Sequence, residues 1–227
     1  MTQPGRAEHS GFSLSYRGLR IGIGFLGLAL PVVLIFGKRW LDGGGVRGSI
    51  SDYEYTVMRD YFVATMCAMG VLLAAYRYGR EDDYLSDGVA LFAVGVALFP
   101  TTPAGVNLTT GQTIIGFVHL VCASGFFLGM AYFCFSRFTR TDPHRDPTPQ
   151  KRTRNVVYRV CAMVIVACLA LVVVGDLALS GPQKEVLHPV FWLESIAVWA
   201  FSASWLIKGE FFLLRDQPVK PGRQRLS

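Results

Sequence analysis

The sequence predicts an all-α membrane protein: a polytopic bundle of six transmembrane helices with both termini in the cytoplasm. Three observations support this fold class. First, 52% of the 227 residues are hydrophobic and the mean hydropathy is +0.37. Second, apolar stretches approach or exceed the roughly 20 residues that a helix needs to cross hydrocarbon. Third, Lys and Arg are concentrated in alternate connections and in the tails, which the positive-inside rule places in the cytoplasm.

The apolar stretches define one transmembrane domain over residues 1–227, with no separate soluble domain. Charged, Gly-rich and Pro-containing segments separate the stretches and mark the predicted connections. We expect helices at about 19–36, 52–78, 85–100, 113–138, 156–179 and 189–214, followed by a polar cytoplasmic tail over 215–227.

The boundaries of the first three helices follow from local residue chemistry. Pro31 is expected to kink helix one, because proline removes one backbone hydrogen bond. The sequence from Ser51 to Glu54 has the spacing of a capping box, which predicts that helix two begins near Asp52. Helix three is the shortest span and is stopped at Pro100.

The second half of the chain contains the longest apolar stretches. Helix four carries Gly125-x-x-x-Gly129, a spacing of small residues that lets two helices approach closely. Helix five follows the most basic connection, whose prolines keep it irregular. Helix six begins at Pro189, and proline is favoured in the first turn of a helix.

The charge distribution indicates the partners. The net charge is +6 and the isoelectric point is near 9.2, but Lys and Arg lie just beyond helix ends, where they contact lipid headgroups. We therefore expect the lipid bilayer as the main partner, a multi-pass location in the inner (plasma) membrane, and no nucleic-acid partner. The sequence leaves self-association open.

Titratable side chains within apolar stretches predict a polar site, because hydrocarbon offers such groups no partner. His119 lies inside helix four. Glu194 lies inside helix six with no cationic residue within one helical turn, so we expect a partner from another helix, His119 first. Further polar groups fall at the same predicted outer side of the membrane. The predicted polar cluster comprises Ser51, Asp60, His119, Asp176, His188 and Glu194.

Each member of this cluster also has a purely structural interpretation. His119 would hydrogen-bond a carbonyl or hydroxyl group of a neighbouring helix, Asp60 would pair with Arg59, and Asp176 would terminate helix five. His188, just before a proline, would lie in the cap of helix six.

Three functions are compatible with the predicted cluster. The first is a pocket on the outer side that binds a lipid or small solute. The second is a metal-dependent hydrolase of a lipid amide or ester, with His119, His188 and Glu194 as ligands and a metal-bound water as nucleophile. The third is a small proton-coupled carrier that uses Glu194 and His119 as its relay. The residues assign no cofactor.

Several segments carry a resemblance to known families. Four segments resemble a group of bacterial six-helix membrane proteins without an assigned activity. These segments are Ser49 to Thr56, Arg59 to Phe62, Leu98 to Thr102 and Trp192 to Phe201. A fainter similarity is to membrane hydrolases of the alkaline ceramidase and adiponectin-receptor type, in which a serine, an aspartate and three histidines build a zinc site. The nearest counterparts that this similarity implies are Ser51, Asp60, His119 and His188.

Overall fold

The structure is a computed structural model that describes residues 15–77, 80–103, 105–141 and 148–211. Within these ranges the protein is all-α, which confirms the helical part of the predicted fold class. A 3₁₀ helix, Ser51–Tyr55, precedes α2, and a π-helical turn, Phe133–Arg137, extends α4. The α-helices are α1 (Tyr16–Asp42), α2 (Arg59–Ala74), α3 (Arg80–Leu98), α4 (Thr110–Tyr132), α5 (Pro149–Ala178), α6 (Gly181–Leu187) and α7 (Pro189–Lys208).

Four described helices are long and apolar enough to cross a membrane: α1, α4 with its π-helical turn, α5 and α7. By contrast, α2 has 16 residues, and the first turn of α3 is charged. The short α6 was not among the six predicted helices. The predicted tail over 215–227 and the predicted helix ends at positions 78 and 214 lie outside the described residues.

The start of α2 differs from the sequence prediction. The expected start near Asp52 is corrected to Arg59, because the intervening residues form the 3₁₀ helix. The reciprocal hydrogen bonds of the expected capping box are made by Ser49: the Ser49 N–H donates to Asp52 Oδ2 (3.1 Å), and the Asp52 N–H donates to Ser49 Oγ (3.0 Å). The Ser51 hydroxyl is therefore left to contact another helix.

The six longer helices form a ring in the order of the chain. Each packs against the next, from α1 to α5; α5 then packs against α7, and α7 closes the ring against α1. Trp205 of α7 is fully buried among aromatic rings, including those of Tyr76, just after α2 (5.2 Å between ring centroids), and Phe138, just after the π-helical turn (5.1 Å). The ring therefore places residues that are distant in sequence at the same end of the bundle.

The small-residue spacing of α4 serves packing within one chain. A Cβ atom at Gly125 would lie 2.6 Å from the Phe92 ring of α3. A Cβ atom at Gly129 would collide with Val89, which is also in α3. These glycines therefore allow α3 and α4 to approach closely, as the spacing predicts. Their role in this contact gives no separate indication of a second copy of the chain.

The connections divide the molecule into two ends. The site end is formed by 43–58, 99–103, 105–109 and 179–189, and the basic end by the opposite termini of the helices. At the basic end, Arg20 donates to the Tyr76 hydroxyl (2.9 Å), while Lys151 (3.0 Å) and Lys208 (3.5 Å) donate to the Phe138 carbonyl. Cationic side chains thus satisfy carbonyl groups at the ends of helices, where they also complement the helix dipole.

Candidate functional site

The connection between α1 and α2 is fixed to the first turns of α7 by two hydrogen bonds. The Phe191 N–H donates to the Gly48 carbonyl (3.0 Å), and the Ile50 N–H donates to Glu194 Oε2 (2.7 Å). Among the described residues, the Glu194 side chain makes only the hydrogen bond with the Ile50 N–H, and it forms no ion pair. The partner of Glu194 is thus a backbone amide rather than the expected His119.

His119 connects three parts of the site end. Its Nδ1 lies 2.7 Å from the Phe99 carbonyl oxygen, and its Nε2 lies 3.0 Å from Ser51 Oγ. Because a carbonyl can only accept, Nδ1 carries the hydrogen. In the neutral imidazole Nε2 is then an acceptor, so the Ser51 hydroxyl donates to it. His119 therefore holds α4, the end of α3 and the 3₁₀ helix together.

Three residues of the predicted cluster lie at one place. Glu194 is hydrogen-bonded to Ile50, and His119 to the next residue, Ser51. Ser51 and Glu194 also line the same internal cavity. Its volume is about 30 Å³, which is room for about one water molecule. The rest of its lining is apolar, and includes Leu30, Ile50, Phe62, Met66, Met69 and Phe126.

The other three predicted residues do not join this group. The Asp60 side chain is 98% exposed and lies 3.8 Å from Arg59, and the Asp176 side chain is 73% exposed and lies 2.7 Å from Lys184. Both occupy helix ends that the neighbouring helices do not cover. His188, at the junction of α6 and α7, shares no hydrogen bond with Ser51, His119 or Glu194 among the described residues and does not line their cavity. Of the predicted cluster, the structure therefore brings Ser51, His119 and Glu194 together.

The donor set does not fit the zinc site that the faint similarity implies. Within the part of the chain that the structure describes, no three His, Cys, Asp or Glu side chains are grouped closely enough to hold a metal ion. Both ring nitrogens of His119 already have protein partners. The predicted ligands His119, His188 and Glu194 therefore offer no common coordination site.

Two carboxylates near the site were not predicted as members. Burial raises the pKa of Asp52 above its usual value, against the opposing effects of Arg47 and of hydrogen bonds from Ser49. Burial also raises the pKa of Glu54, against a backbone hydrogen bond from Thr101 and the charge of Arg59. Both lie on the 3₁₀ helix, where burial disfavours the charged form of a carboxyl group.

An apolar groove runs between α4 and α5. It consists of two sections of about 390 Å³ and 520 Å³, which share Leu128, Val166 and Ala170 in their linings. The first section reaches Glu194, and the second continues along the same two helices to Tyr132. Glu194 thus lies at the site end of this long groove.

The groove and the internal cavity are neighbours. Ala123 and Phe127 of α4 and Glu194 of α7 contribute to the linings of both. One layer of side chains therefore separates the groove from the Ser51 hydroxyl.

Fold and composition define the class: a helical protein with four described helices long and apolar enough to cross a membrane, in which one connection is hydrogen-bonded to two helices beside an apolar groove. Comparison of the chain with protein-family models, with curated proteins and with solved structures finds no match. The two resemblances described from the sequence stay predictions.

Proposed function

We propose that the protein is a six-span inner-membrane protein, both termini cytoplasmic, that binds a lipid or similar amphiphile in the groove between α4 and α5. The occupant we infer is an acyl chain. Both helices are long and apolar enough to cross a membrane, so the groove between them opens to hydrocarbon. Its room comes from small side chains, among them Ala131, Ala162, Ala167 and Ala170.

Glu194 is the observation that carries this proposal. A carboxyl group at the end of an otherwise apolar groove is costly in a membrane unless it has a partner. The Ile50 N–H donates to one carboxyl oxygen of Glu194, and the other carboxyl oxygen receives no hydrogen bond from the described residues. A ligand group that donates a hydrogen bond or carries a positive charge would complete this site, with the acyl chain extending along the groove.

Photo-cross-linking tests the groove directly. The protein would be reconstituted in vesicles containing phosphatidylethanolamine with a diazirine in its acyl chain. Ala170 lines both groove sections, so Ala170→Trp should fill the groove and reduce adducts on its walls several-fold. Leu171→Trp adds an indole at the neighbouring exposed position outside the lining, and should leave them unchanged. Adducts spread evenly over all lipid-facing helices, or equal yields in the two variants, would contradict the proposal.

The proposed orientation has its own test. Gly45 lies in the α1–α2 connection, and a side chain there meets nothing within 4 Å. Gly45→Cys should react with an impermeant maleimide added to intact cells, above the background of the wild-type protein. A reporter fused after Ser227 should be cytoplasmic. Labelling of Gly45→Cys only in inverted vesicles would place the site end on the cytoplasmic side.

The alternatives from the sequence receive less support. A metal-dependent hydrolase lacks a donor set in the described residues. A proton relay between Glu194 and His119 lacks a hydrogen bond between them, since His119 is bonded to Phe99 and Ser51.

A further inference from the structure

We propose that Ser51 and His119 are a nucleophile and general base that hydrolyse an acyl ester held in the groove. The inference rests on the proposed function, because the groove is what delivers the acyl chain. It replaces the metal-bound water of the sequence-based hydrolase with a serine hydroxyl.

The geometry of the pair is that of an activated serine. Ser51 Oγ lies 3.0 Å from His119 Nε2, which is within the range for proton transfer. The Phe99 carbonyl accepts from Nδ1 at 2.7 Å and so fixes both the tautomer and the ring orientation. A nucleophile, a base and a group that orients the base are the three parts that nucleophilic catalysis requires.

The surroundings provide substrate and water. Ser51 is 7% exposed but lines the internal cavity, which has room for about one water molecule. Ala123, Phe127 and Glu194 border both this cavity and the groove. An ester carbonyl at the Glu194 end of the groove is therefore one side-chain layer from Ser51, and displacement of the Phe127 ring would bring the two together.

The chemistry balances without a cofactor. Ser51 Oγ attacks the carbonyl carbon as His119 Nε2 takes the hydroxyl proton, and the tetrahedral adduct expels the alcohol, which receives that proton. The acyl group is then bonded to Ser51. Water attacks the acyl-serine, His119 takes the water proton and returns it to Ser51 Oγ, and a fatty acid leaves. The net reaction is ester plus water to acid plus alcohol.

The test is covalent labelling of the reconstituted full chain with hexadecyl fluorophosphonate, followed by peptide mass spectrometry. We expect the adduct on Ser51 of the wild-type protein, so the primary result needs no variant. His119→Asn retains a donor for the Phe99 carbonyl but lacks the base, and should slow labelling by roughly 100-fold or more. Ser180→Ala removes an exposed hydroxyl at the same end that pairs with Gln183 (3.0 Å) and not with an imidazole, and should label normally.

The outcomes separate this inference from the proposed function. No adduct on Ser51, or an unchanged labelling rate in folded His119→Asn, overturns the inference. If phosphatidylethanolamine cross-links to the groove while Ser51 stays unmodified, the groove stands and the nucleophile does not. If ethyl and hexadecyl fluorophosphonates modify Ser51 at equal rates and no lipid cross-links to the groove, the nucleophile stands and the groove proposal fails.

Discussion

Replacing His119 with alanine is expected to lower the free energy of unfolding by about 2–4 kcal/mol. The side chain is 5% exposed, and its removal breaks the hydrogen bonds to Phe99 and Ser51 at once. It also leaves a buried hydroxyl without its acceptor and opens a void in the bundle. The unfolding free energy of wild type and variant in mixed micelles measures the effect.

Two further variants make the His119 prediction specific. His119→Asn keeps a donor near the position of Nδ1, so the Phe99 carbonyl stays satisfied and the loss of stability should be smaller. His188→Asn is the matched control, because His188 lies outside the group and asparagine tolerates its positive φ of 44°. A loss in His119→Ala no larger than that in His188→Asn would show that the imidazole does not hold the site end together.

Glu194→Leu is expected to lower the free energy of unfolding by about 1–3 kcal/mol, because it leaves the Ile50 N–H without an acceptor. Glu194→Gln keeps an oxygen for that N–H and should cost less than about 1 kcal/mol. The glutamine variant nevertheless removes the carboxyl group from the groove, so phosphatidylethanolamine cross-linking should fall while the fold persists. Equal destabilisation by leucine and glutamine would show that the Ile50 hydrogen bond does not stabilise the fold.

Glu194 and His119 should also be energetically coupled although no hydrogen bond joins them. They hold consecutive residues, Ile50 and Ser51, so the loss of one contact loosens the segment on which the other acts. The double variant Glu194→Leu/His119→Ala should therefore depart from additivity by about 0.5–3 kcal/mol. Losses that simply add would mean that the two contacts act on independent parts of the connection.

Some of the site was accessible to sequence reasoning because of where the residues fall. His119 and Glu194 stand out as titratable groups inside apolar stretches, and the cost of such groups in hydrocarbon holds in any helical membrane protein. Asp60 and Asp176 look similar in sequence, yet both side chains are exposed. Whether a residue near a helix end is covered depends on how far the neighbouring helices extend, which its own sequence does not encode.

By itself, the sequence determined the helical class and the apolar lengths of the main helices, and it placed Ser51, His119 and Glu194 among the candidate residues. The apolar length of a helix is a property of its own segment, so it can be determined without knowing the neighbouring helices. Only the tertiary structure decided that Ile50 and Phe99 are the partners, since backbone amides and carbonyls are chemically alike at nearly every position. It also decided the groove, because the space between α4 and α5 depends on how two helices pack and on neither helix separately.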